Sequence, residues 1–343
     1  MVRLAEVLLG RTKSLGVRLL RALVILTLIL VAVTIGSACI GTETINFSTV
    51  FSDPTMHTLL FDLRLPRVIM AAMVGASLAV VGAALQALFR NPLADPFILG
   101  VSGGGAVGAS MAIAFGIDRI FGGIPFLFLS AFLGALFAVF LVYQIARSGR
   151  TILPGALLLA GVAVNLIASS AVITIQFLAD PNRAHQILRW TTGSLDVVGF
   201  TTIRHMTLFL VPSWVVLLMM AEKLHLLAID EDTATTLGVN VKRSELLIHL
   251  VCSLLVAVTV AVGGAVGFVG LIVPHAIRLL FGEDLRIVLP GSLLLGASFL
   301  VAADTVARTA LGSTELPVGA VTALLGGPVF LFLLRRRQRY SAL

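Results

Sequence analysis

The sequence predicts an all-α polytopic membrane protein of about ten transmembrane helices. Of 343 residues, 58% are hydrophobic and 12% charged, about half the charge of a soluble domain. Mean hydropathy is +1.07. Charge-free runs of about 20 residues, the length a bilayer requires, recur from one end of the chain to the other. A lipid-embedded chain has no need to divide by length, so residues 1–343 are read as one transmembrane domain.

The first run, 22–42, is too long for a signal-peptide core and is read as a retained span. Runs at 68–89, 96–117, 120–146, 151–179, 205–221, 287–303 and 316–334 follow the same rule. The run 246–277 is too long for one helix and too short for two full ones. Gly263, Gly264, Gly267, Gly270 and Pro274 break it, leaving a full span and a half-helix from about residue 268 to 281. The total is ten, which puts both termini on one side. Of 24 Lys and Arg residues, 17 fall on that side and 7 on the other, so the termini are expected in the cytoplasm. The two halves share a plan, a long span followed by a Gly/Pro-broken segment, running in opposite directions. That is the geometry of inverted-repeat transporters, whose broken helices line the path.

Several functions are excluded by what is missing. The formal charge is +7, but the basic residues sit in tails and connections, without a basic face carrying aromatics for nucleic acid. The Arg335–Arg337 run is an ordinary positive-inside stop. Cys39 and Cys252 form no CxxC and no disulfide framework. There is no G-x-x-x-x-G-K-[ST], and Gly10–Ser14 fails its spacing, so the chain binds no ATP through a P-loop. No HExxH, GxSxG or intramembrane carboxylate pair is present. His275 has no second ligand at helical spacing, so no metal site is expected. Asp304 is the single acid within a span, little for an ion-driven carrier. No enzyme activity is expected.

Three stretches carry the candidate sites. Residues 228–242 read AIDEDTATTLGVNVK, a polar island between apolar runs. Asp230, Glu231 and Asp232 suit a helix N-terminus, and Gly238 suits the position past its end. About two turns of capped helix are predicted, either a docking element at the cytosolic surface or a solvated connection. Residues 90–96 read RNPLADP. Two prolines disfavour helix at Asn91 and Asp95, giving a tight turn or a gate lip. Arg64, Arg67 and Arg308 are positive charges on the disfavoured side. Snorkelling to headgroups or a surface for an acidic partner would each explain them.

Long motifs then give a resemblance. RLPR at 64–67, GASLAVVGAALQALFRNPLADPFILGVSGGG at 75–105, LLLAGVAVN at 157–165, LGVNVKR at 237–243, GFVGLIVPHAIR at 267–278 and ELPVGAVTALLGGPVFLFLL at 315–334 resemble the FecCD family, over about residues 61–334. These are membrane permeases of ABC importers for iron–siderophore, haem and cobalamin. The resemblance implies the type II importer architecture, with ten helices per subunit and a homodimer in the bacterial inner membrane. It also implies two ATPase subunits, which hold the ATP and Mg, and a periplasmic or lipid-anchored binding protein. This chain itself is expected to bind no cofactor. The resemblance makes Asp230, Glu231, Asp232, Thr233, Leu237 and Gly238 the ATPase-coupling segment. It sets Arg64, Arg67 and Arg308 against acids of the binding protein, and Asn91 and Leu93 at the cytosolic gate. Pro154 and Gly155 stand where the cobalamin member has small polar residues at a second constriction. Iron–siderophore ranks first as cargo, then haem and cobalamin. The competing class is an ion-coupled secondary transporter.

Overall fold

The computed structural model describes all residues except 1, 42, 44–49, 118, 122–123, 149–150, 153, 313 and 342–343. Among the described residues, ten apolar helices follow the expected order. They are Val2–Cys39, Leu65–Leu88, Val101–Phe115, Phe126–Ala146, Pro154–Leu178, Thr201–Met219, Val241–Gly263, Val269–Phe281, Leu285–Thr309 and Val318–Ser341. Numbered one to ten in chain order, seven are long enough to cross a bilayer and spans three, eight and ten have shorter apolar stretches. The split of 246–277 falls where the glycines placed it. Span seven ends at Gly263, Gly264 and Phe268 take positive φ values of 66° and 68°, and the half-helix begins at Val269.

Two apolar runs begin as short strand pairs rather than as helix. Ile120–Phe121 pairs antiparallel with Ile124–Pro125, and Arg147–Ser148 with Thr151–Ile152. Spans four and five therefore start at Phe126 and Pro154. A helix at Pro181–Thr191, capped by Asp180 accepting from the Arg183 N–H at 3.1 Å, was not expected at all.

Span two is the hub. Nearly every residue from Val68 to Ala87 is buried, and span nine, span eight and span seven pack around it. Small residues make this possible. A Cβ at Gly82 would lie 1.9 Å from the Gly270 carbonyl oxygen, and one at Gly75 2.2 Å from that of Gly296, so backbones touch where side chains would separate them. The Trp214 indole N–H donates to the Ser77 hydroxyl at 2.9 Å, tying span six to the same hub.

The face carrying Arg90 and helix Glu231–Thr236 is called inner and the face carrying Arg67 and Arg308 outer, names taken from the charge-based expectation. Irregular backbone at membrane depth must be satisfied by protein, and several breaks between the helices are paired in this way. The Ser194 N–H donates to the Gly263 carbonyl and the Val318 N–H to that of Gly193, each at 3.2 Å. Asn165 of span five donates to the Phe97 carbonyl at 2.9 Å and accepts from the Gly103 N–H at 3.1 Å. One amide thus pairs two backbone groups of the broken entry to span three.

Candidate functional sites

On the inner face the chain builds a raised capped helix. Helix Ala221–Ile229 ends at Asp230, whose extended backbone (φ −166°, ψ 141°) starts helix Glu231–Thr236 at a new angle. The Asp230 carboxylate accepts from the Thr233 N–H at 2.9 Å and from its hydroxyl at 3.1 Å. Those hydrogen bonds, the backbone one foremost, hold the Asp230 carboxyl below its ordinary range. At the other end Gly238 turns left-handed at φ 85°. The Val239 N–H reaches the Ala234 carbonyl at 3.0 Å, closing the C-terminus. Of residues 231–238 only Ala234 is buried. Glu231, Asp232 and a 62% exposed Leu237 stand clear of the body.

Beside it lies the turn 90–95. Asn91 accepts from the Leu93 N–H at 3.0 Å and Asp95 from the Phe97 N–H at 2.9 Å, two side-chain turns that fix the loop. Leu93 is 41% exposed while Ala94 is fully buried. Burial pushes the Asp95 carboxyl up to about 6. Pro154 opens span five, and the space a Cβ at Gly155 would occupy is open. Arg90 was not among the candidate residues. It has φ 49°, rare for a residue with a side chain. Its guanidinium donates from Nε to the Leu227 carbonyl and from a terminal nitrogen to Glu231 Oε1, both at 3.1 Å. Only its proximity to an acid 141 residues away reveals this contact, and no local pattern encodes that.

On the outer face the three candidate arginines come together, but they are not free. Arg64 is 5% exposed and Arg308 6%. Arg64 donates to the carbonyls of Ala38, Cys39 and Glu43, closing the end of span one. Arg67 meets Asp304 Oδ1 from Nε at 3.1 Å, Glu315 at 2.8 Å and Asp196 at 3.5 Å. Arg308 Nε lies 3.1 Å from Asp304 Oδ2, close enough to pair. Arg308 also donates to the Ser37 hydroxyl at 3.0 Å. Asp196 holds Arg189 at 2.8 Å and accepts from Ser194 at 2.6 Å. The three arginines that the resemblance sets against an acidic partner thus also hold groups of their own chain. Two are buried on partners of their own chain, and Arg67 is nearly so. The fully buried Asp304 sits between two cations, an anchor rather than a free proton carrier. Its i, i+4 spacing to Arg308 was legible in the sequence.

With the geometry in place, comparison with known proteins decides the class. The FecCD transport family matches residues 24–336. The chain belongs to that family. The match reaches back to residue 24, inside span one, beyond the motif-based range of 61–334. Relatives within the family include a hemin transport system permease of Yersinia pestis, 39% identical over 92% of this chain and 96% of the relative. A cobalamin import system permease of Halobacterium salinarum is 44% identical over 83% of this chain and 75% of the relative. A solved structure assigned to the metal-chelate type of ABC transporter, in an inward-facing conformation, superposes with a TM-score of 0.82 at 33% identity. It covers 92% of this chain and 99% of the other. The all-α fold of about ten spans is that of ABC importer permeases, and membership in this family sets the ion-coupled class aside.

Proposed function

We propose that the chain is the membrane subunit of an ATP-driven importer for a metal chelate. It works as a homodimer in the plasma membrane, with both termini cytoplasmic. Two separate ATPase subunits press on its inner face and a binding protein delivers cargo to its outer face. The observation that carries this reading is the acid-capped helix 230–238, exposed beside the turn 90–95 in a family member without a nucleotide-binding motif of its own. Force has to come from another subunit, and this helix offers the shape and charge to receive it. Asn91 and Leu93 form the lip that such a movement opens, with Gly155 facing open space as a second narrowing.

On the outer face the docking role narrows to Arg67. Its carboxylate partners Asp196 and Glu315 are about half exposed, so an acidic partner can exchange with them, while Arg64 and Arg308 hold the surface in shape. For cargo, the relatives named for hemin and cobalamin favour a tetrapyrrole-type chelate over the iron–siderophore that abundance within the family ranks first.

The test is reconstitution. The purified chain alone is expected to show no ATP hydrolysis, and to gain transport only with a nucleotide-binding subunit. With that complex, replacing Leu237 by Asp should abolish ATPase association while the permease still inserts. Hemin and cobalamin uptake, compared with a ferric siderophore, ranks the cargo. ATP-dependent uptake by the chain alone would overturn the reading.

A further inference from the structure

Arg90 lies outside the coupling and gating residues above, and its position is unusual in three ways. Its backbone is left-handed, φ 49°, in a slot that glycine or asparagine fills at less strain. A long cationic side chain kept there points to use of the side chain. Its guanidinium then bonds two different elements. The Leu227 carbonyl belongs to the last turn of helix Ala221–Ile229, where carbonyls lack intrahelical partners. Glu231 is the first residue of the next helix. The planar fork therefore straddles the kink at Asp230 and senses the angle between the two helices.

The third feature is what lies behind the guanidinium. The Arg90 N–H donates to the Ala87 carbonyl at 3.2 Å and the Asn91 N–H to that of Gln86 at 3.0 Å. Asn91 is the next residue and shapes the turn to Leu93. Gln86 continues inward. Its amide donates to the Gly270 carbonyl at 3.1 Å, and its oxygen accepts from Arg278 at 2.6 Å. A short unbroken path of polar contacts thus joins the capped helix to the gate turn and to the half-helix Val269–Phe281.

We infer that Arg90 is a positioning residue that transmits displacement of the 230–238 helix to the Asn91–Leu93 turn through its contacts with Glu231 and Leu227. The inference rests on the coupling role proposed for that helix. The ion pair is exposed, with side chains 41% and 59% accessible, so it adds little to stability. Its value is geometric, and its loss should change coupling rather than folding.

The experiment uses the complete complex in proteoliposomes and reads chelate transported per ATP hydrolysed, beside the melting temperature and ATPase association. Arg90→Ala is expected to lower the transport-to-hydrolysis ratio about fivefold, the reach of a single exposed pair, with melting and association unchanged. Glu231→Arg, on the docking helix itself, serves only as the single-exchange reference for the paired variant. Arg90→Lys keeps the charge but loses the fork and should fall between. Arg90→Glu combined with Glu231→Arg should recover part of the ratio lost in either single exchange with melting unchanged throughout, whereas a purely structural pair would move the melting temperature together with the ratio. An unchanged ratio in Arg90→Ala, or no recovery in the paired exchange, overturns the inference. Leu237→Asp, at a 62% exposed side chain that takes no part in the Arg90 contact, keeps the two readings apart. If it releases the ATPase subunits while Arg90→Ala leaves the ratio intact, the docking role stands and the Arg90 role falls. If it leaves association intact, the docking role itself falls.

Discussion

The outer cluster at Asp304 and the inner contact at Arg90 use the same chemistry, arginine on carboxylate, in opposite settings. Around Asp304 the side chains are 1%, 7% and 14% accessible for Asp304, Arg308 and Arg67. Three elements meet there and each charge has at least one partner. At Arg90 a single pair stands half in water. A buried charge network is expensive to break from one side, so the outer cluster fixes spans two and nine to each other. An exposed pair is inexpensive to break and remake, so the inner contact can follow a moving helix. The difference assigns stiffness to one face and compliance to the other.

The largest effect expected is at the stiff end. Asp304→Ala leaves Arg67 and Arg308 without their shared counter-charge, and removing one partner of a buried network costs about 3–5 kcal/mol. Thermal unfolding in detergent should show a large drop, and an unchanged melting temperature would break the comparison. Gly82→Ala comes next. Its Cβ would sit 1.9 Å from the Gly270 carbonyl oxygen, and forcing such contacts apart costs about 1–3 kcal/mol. The same melt checks it, and a neutral result would mean that the hub tolerates separation.

Asp95 gives a smaller, pH-dependent effect. Its carboxyl is raised from 3.8 to about 6 by burial. A raised carboxyl favours the folded state below its unfolded value and loses that contribution as pH climbs to about 6. Asp95→Asn keeps the turn-capping oxygen. It should therefore raise stability at pH 7 by about 1–2 kcal/mol while leaving the pH 4 value nearly unchanged. Melting curves at the two pH values test this, and an equal shift at both would reject burial as the cause. The smallest change belongs to the compliant end. Arg90→Ala should alter stability by less than about 1 kcal/mol, and a larger loss would place Arg90 with the clasp at Asp304.

Much of this was legible in the sequence because a bilayer imposes one strong rule, a run of apolar residues for each crossing. All ten spans were found that way, including the break at Gly264, where glycines interrupt an overlong run. The same rule failed at 120–125 and 147–152, because a short apolar strand and the first turn of a helix have the same composition. It also passed over Pro181–Thr191, whose charged and polar residues never form an apolar run. The capped helix was readable from Asp230 and Gly238 because caps act within a few residues. The state of the arginines was not. Arg67 meets Glu315 at a separation of 248 residues, and no local signal tells a free surface cation from one already held. The Asp304–Arg308 spacing was the one available hint that this charge cluster closes on itself.

The central claim is that this chain moves only when driven through the helix at 230–238. The most direct measurement is a disulfide cross-link between a cysteine introduced at Leu237 and cysteines placed across the reconstituted ATPase surface, followed through the ATP cycle. The account predicts efficient cross-linking that changes with nucleotide state and a complex that stops transporting once linked. A transporting complex in which position 237 never reaches the ATPase would contradict it.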